Sequence, residues 1–255
     1  MKRLTKSALF LGATVCSASL LANAHAGQGG TDILHYAVTK TMANDGVESN
    51  AVGSVQAHQN KQGHADNQQL NISVSGLTAN GSYALLANGD TNLSDGVSFT
   101  TDTNGGAKLQ YRSQGNGHGL GHGKSALPAA LDPVSAISQL DVFNTSTQAV
   151  LTADMTMPDQ LQYLIKRNLS TSTVDASLRI HATTAQTQFD LKASGLMATN
   201  NYLLVVNGAV VETNAADSNG KLNINSLPVS GSILSVNSLQ LWDASSNVVL
   251  TTTLP

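Results

Sequence analysis

The sequence predicts an all-β protein, two tandem homologous β-sandwich domains behind a cleaved signal peptide, and three observations lead there. The chain is written twice, its duplicated blocks alternate apolar and polar residues with period two, and Asn-Gly pairs punctuate the blocks. SGLTANGSYALLANG (Ser75 to Gly89) aligns without a gap on SGLMATNNYLLVVNG (Ser194 to Gly208). Flanking blocks follow in the same order. LHYAVTKTM from Leu34 answers LQYLIKRNL from Leu161, GSVQAH ending at His58 answers ASLRIH ending at His181, and LDVFNTSTQAVL from Leu140 answers LQLWDASSNVVL from Leu239. Each copy runs for about a hundred residues, the size of an ordinary domain.

Taken in chain order, residues 1–26 read as a signal peptide. Lys2, Arg3 and Lys6 precede an apolar run from Ala8 to Leu21, and two overlapping A-x-A cleavage sites end at Ala24 and Ala26. The product is expected to be exported, whether periplasmic, on the cell surface or extracellular. No other stretch is apolar over the roughly 20 residues that a membrane-spanning helix needs. The one cysteine, Cys16, lies in the leader, so the mature chain has no thiol for a disulfide, a nucleophile or a metal thiolate. Processing leaves ten basic residues against 16 acidic ones, a net charge of −6. With no basic run, nucleic acid is not an expected partner.

The first repeat is expected over residues 31–156 and the second over 160–255, joined near Pro158. Alternation is clear in Leu70-Ile72-Val74, Leu178-Ile180, Phe189-Leu191 and Leu222-Ile224, the period of a half-buried pleated surface. Asn88-Gly89, Asn104-Gly105, Asn207-Gly208 and Asn219-Gly220 supply the positive φ that tight turns demand. Two segments, Leu77 to Tyr83 and Leu196 to Tyr202, resemble the L-x-x-x-x-x-Y corner of fibronectin type III and other immunoglobulin-like sandwiches. That resemblance implies an immunoglobulin-like fold, with each tyrosine hydroxyl tying a loop back to its sheet. It implies no activity. The core tryptophan near the start of each copy and the cysteine pair are missing.

QGNGHGLGHGKSA (residues 114–126) has no counterpart in the second copy and reads as an inserted loop. A phosphate cradle of the G-x-x-x-x-G-K-[ST] type would need glycine where His118 stands. His118 and His122 are the candidate metal ligands, for copper, nickel or zinc, with further ligands drawn from His58, His64, Asp132 or His181. Ordering a glycine-rich loop around an ion costs roughly 1–2 kcal/mol of backbone entropy per residue, so a linker is the plainer reading. No cofactor is expected beyond such a transition metal. Cleavage after Ala24 would expose His25 as an amino-terminal copper chelator, and cleavage after Ala26 would abolish it.

Other constellations have bland readings. No G-x-S-x-G elbow marks a serine hydrolase. His58 and His181 occupy matching places near strand ends and read as structural. Asp102-Thr-Asn-Gly and Asp217-Ser-Asn-Gly open like a calcium loop but lack its later oxygen ligands, so they read as turns. Phe143 and Trp242 match between copies and alternate out of phase with Leu140-Val142 and Leu239-Leu241. They are the candidate interface, for packing between domains, for filling a second buried face, or for a partner. The expected function is a non-catalytic structural, adhesive or binding role in a bacterial envelope or extracellular matrix. The alternatives are a metal-binding protein and a secreted copper oxidase or hydrolase. Expected partners are a protein or matrix component, or further copies of the chain added at strand edges.

Overall fold

The computed structural model describes residues 32–113, 125–226 and 232–254, and the chain there is all-β apart from three short 3-10 turns. In the first half the strands are β1 (Ile33–Asn44), β2 (Val52–Gln62), β3 (Ala65–Ser75), β4 (Ser82–Ala87), β5 (Val97–Thr100), β6 (Ala107–Arg112), β7 (Ser125–Ala126), β8 (Gln139–Asn144) and β9 (Ala149–Asp154). In the second half they are β10 (Gln160–Ser170), β11 (Asp175–Thr183), β12 (Thr187–Ser194), β13 (Asn201–Val206), β14 (Ala209–Ala215), β15 (Leu222–Ile224), β16 (Ser238–Asp243) and β17 (Val248–Thr253).

These strands form two sheets. The larger runs β15-β12-β11-β10-β1-β2-β3-β6-β7, and the far end of β1 also carries β9, which leads through β8 and β4 to β5. The smaller is β14-β13-β16-β17. The pairing repeats along the chain: β1-β2-β3-β6 and β5-β4-β8-β9 in the first half have the same order as β10-β11-β12-β15 and β14-β13-β16-β17 in the second. Apolar residues alternate inward, as in β3, where Leu70, Ile72 and Val74 are buried, and in β11, where Leu178 and Ile180 are. Leucines from β10, β11 and β12 face leucines from β13, β16 and β17 across a small apolar void. The layers pack like those of a β-sandwich.

One contiguous core runs through both halves. The two halves join by antiparallel pairing of β1 with β10, where Tyr36 stands opposite Tyr163, its counterpart in the repeat. Leu34 faces Ile165 and Val38 faces Leu161, so equivalent strands meet in the self-complementary register of a two-fold contact. Both tyrosines are 1% exposed, and burial pushes both phenols up. The link between the copies is pinned to β1: Asp159 N–H donates to Thr39 O at 2.9 Å, and Thr41 N–H donates to an Asp159 carboxylate oxygen at 2.6 Å. The Lys40–Asp159 ion pair at 3.3 Å adds little, because half-exposed pairs contribute about 0–1 kcal/mol.

Local chemistry accounts for the turns. Asn207 (φ 49°) and Gly208 (φ 81°) are both left-handed and close the β13–β14 hairpin in the two-residue form that Asn-Gly favours. Asn88 and Gly89 adopt the same conformation, but nine residues separate β4 from β5 there. At the other two pairs only the glycine is left-handed, Gly105 at 75° and Gly220 at 69°. A Cβ on Gly105 would lie 1.9 Å from Leu77 O, and one on Gly220 would lie 2.2 Å from Leu196 O. The chain crosses there at backbone contact distance, which only glycine permits.

Candidate functional site

Both tyrosine corners close. Tyr83 Oη accepts from Thr78 N–H at 3.0 Å, and Tyr202 Oη accepts from Met197 N–H at 2.9 Å. In the first copy the hydroxyl also donates to Glu48 Oε1 at 2.6 Å, and the other oxygen of Glu48 accepts from Thr78 N–H at 2.7 Å. Asp102 and Asp217 are turn-makers: one oxygen of Asp102 accepts from Asn104 and Gly106 N–H, and one of Asp217 from Asn219 and Lys221 N–H. Those backbone donors hold both carboxyls below the usual range.

A buried polar network lies beside the residues that flank 114–124. Gln59 and Gln68 lie on the core face of the β2–β3 hairpin, 2% and 7% exposed. Gln59 Nε2 donates to both oxygens of Asp66 at 2.9 and 3.0 Å, and Gln68 Nε2 donates to Asp132 Oδ1 at 2.7 Å. Their carbonyl oxygens accept from Ser135 and Val134 N–H. Ser113 Oγ accepts from Gln68 N–H at 2.8 Å. The network thereby fixes both the residue where the chain enters the 114–124 segment and the turns that follow it.

The opposite face of the large sheet is polar. Across the seam, register places Arg112, Gln69, His58, Ala37, Gln162 and Thr183 in one row and Gln110, Asn71, Gln56, Thr39 and Gln160 in the next. Small residues on β1 lie between longer ones on β2 and β10. The result is an open concavity of about 530 Å³ lined by Ala37, Gln56, His58, Asn71, Gln160 and Gln162 among others. Charge is sparse at its centre and amide groups dominate. Asn71 Oδ1 is buried with no hydrogen-bond partner among the described residues. Such a surface offers paired donors and acceptors, the recognition chemistry of a neutral polar ligand.

His35 and His58 stand together on this face. Their ring centroids are 5.3 Å apart and the rings are nearly perpendicular. His35 Nδ1 lies 2.5 Å from Asn60 Oδ1, and Asn60 Nδ2 lies 3.4 Å from His58 Nε2. Desolvation, then the neighbouring His35, pushes His58 below the ordinary imidazole value, which favours its neutral form. Sequence reasoning missed His35, because its equivalent in the second copy is Gln162 and no repeat marks it. His58 lies within β2 on the half-buried outer face, and so does His181 on β11; neither belongs to the core.

Of the other predicted residues, His118, His122, His25 and Cys16 lie outside the described residues. His64 is exposed at the β2–β3 turn, and Asp132 serves the glutamine network. Phe143 is buried and pairs with Ala84 of β4; Trp242 is half-buried beside Leu203 and donates to Gln240 Oε1 at 3.2 Å. Among the described residues, no three His, Cys, Asp or Glu side chains converge as a metal site, and no helix is long and apolar enough to cross a membrane. No protein-family model matches the chain, and no curated protein matches it significantly.

Proposed function

We propose that the chain is an exported, non-catalytic protein of a bacterial envelope or extracellular matrix. It comprises two homologous immunoglobulin-like sandwich units, 31–156 and 160–255, behind a signal peptide at 1–26. In this reading it works as a structural or adhesive binding module. The duplicated strand order, the duplicated tyrosine corners and the shared turn chemistry support the two units. The single observation that carries the binding role is the amide-lined concavity across the β1–β10 seam. The seam matters because neither unit alone forms that surface: Gln56 comes from one copy and Gln160 and Gln162 from the other.

The test uses the full chain in its host. Cells are fractionated, and the share of the protein that sediments with envelope or matrix material is measured for the wild type and for a Gln56→Ala/Gln162→Ala variant. Both side chains are exposed, so folding should be unaffected, which circular dichroism checks. Retention is expected to fall about tenfold, corresponding to about 1.4 kcal/mol of lost contact. Equal retention of a folded variant would remove the concavity from the contact surface.

A further inference from the structure

We propose that His35 and His58 form a binding site for a divalent transition metal of the zinc, nickel or copper class, with the side-chain oxygen of Asn60 as a third donor. In the β1–β2 ladder His35 faces Asn60 and Ala37 faces His58, so the imidazoles are diagonal neighbours on one sheet face. Their ring nitrogens converge. Nδ1 of His35 and Nε2 of His58 both lie within reach of the Asn60 amide, at 2.5 and 3.4 Å. The amide bridges the rings, its oxygen accepting from His35 Nδ1–H and its NH2 facing the lone pair of His58 Nε2. A metal ion bound there takes the place of the Nδ1 proton, with His35 in its Nε2–H tautomer, displaces the NH2, and keeps the Asn60 oxygen as a ligand. Water completes the coordination on the open side, since all three side chains are at the surface.

Preorganisation separates this pair from histidines on a glycine-rich segment. The three residues sit on adjacent strands whose backbone is already ordered by ten successive β1–β2 register pairs. Binding costs only side-chain rearrangement, whereas ordering a glycine-rich backbone costs roughly 1–2 kcal/mol per residue. Imidazole favours zinc, nickel and copper; magnesium and calcium demand a cage of oxygen donors that this pair does not supply. His58 also lines the concavity, but the two roles have separate readouts, metal affinity for the imidazoles and envelope retention for Gln56 and Gln162.

Zn(II) is titrated into the full chain carrying His118→Ala and His122→Ala, with binding followed by calorimetry and by the unfolding midpoint. One ion per chain and a raised midpoint are expected, because the two imidazoles meet only when β1 and β2 are paired. Adding His35→Ala or His58→Ala to that background should each lower the affinity at least tenfold, while His181→Ala changes it less than twofold. Asn60→Asp, which places a carboxylate at the same point, should raise the affinity, and Mg(II) should leave the midpoint unchanged. Absence of Zn(II) binding in the background, or affinity retained by both the His35 and His58 variants, overturns the site. An unchanged affinity in Asn60→Asp overturns the convergence on that residue.

Discussion

The two halves of the molecule share a strand order but differ where each meets solvent. In the first, β5 lays Val97 opposite Leu85 and Phe99 opposite Tyr83, and Phe99 stacks on the corner tyrosine at 5.7 Å. At the matching edge of the second, β14 lays Glu212 opposite Leu204 and Asn214 opposite Tyr202. Glu212 Oε2 and Asn214 Nδ2 are buried and have no hydrogen-bond partner among the described residues. An inward-pointing charge on an edge strand makes that edge a poor template for another strand, at a cost in stability. The first half holds the reverse bargain: a better-packed edge of four residues, a corner buttressed by Glu48, and a buried glutamine network. The strand order is common to the two halves, while the guarded edge lies in the second and the glutamine network in the first.

The largest expected effect concerns what the halves share. Tyr163→Ala or Tyr36→Ala should cost about 3–5 kcal/mol, as deletion of a buried aromatic does. Either should shift the unfolding of the whole chain. Trp242, the single tryptophan, lies in the second half, so its fluorescence should move in Tyr36→Ala as far as the far-ultraviolet dichroism does. A fluorescence transition that stays in place would show that the halves unfold independently.

Next comes the edge contrast. Glu212→Val gives β14 the residue that β5 carries at the matching place, and removing the orphaned carboxylate oxygen should stabilise the fold by about 1–3 kcal/mol. The same change should promote self-association, read by light scattering. A variant that is both less stable and monomeric would sink the guarded-edge account.

Smaller is the difference between the corners. Tyr83→Phe removes a hydrogen bond to the backbone and one to a carboxylate, and should cost about 2–3 kcal/mol in denaturant titrations. Tyr202→Phe removes a backbone bond alone and should cost about 1 kcal/mol. Equal costs would mean that Glu48 adds nothing to the first corner.

The smallest effect is symmetric. Asp102 and Asp217 have lowered folded pKa values, so their stabilisation is present above the unfolded carboxyl value near pH ~4 and fades as pH falls through the folded value. Asp102→Asn and Asp217→Asn keep the turn acceptor and lose the charge. Each should flatten the acid limb of the stability curve by a similar amount. A strong asymmetry between them would show that the two turns are not equivalent.

Much of the fold was legible because it is local. Alternation in β3 and β11, the left-handed Asn207-Gly208 turn and the five-residue reach from Thr78 or Met197 to its tyrosine all depend on neighbours in sequence. The site was less legible. Gln59 and Gln68 have polar side chains yet face the core, where Asp66, Asp132 and backbone donors satisfy them from a distance in sequence. His35 became visible only when β2 brought His58 and Asn60 beside it. His58 and His181 read as fold residues because they repeat, but repetition cannot tell which face of a strand is covered.

By itself the sequence determined the duplication, the strand class, the turn positions and both tyrosine corners, because each is specified by spacing along one chain segment. The tertiary structure decided that β1 and β10 pair, so that two halves share one sheet and one core, and that amides from both copies line one concavity. A strand has two edges with the same backbone donors and acceptors, and which edge meets which partner is settled by long-range packing that no local pattern encodes.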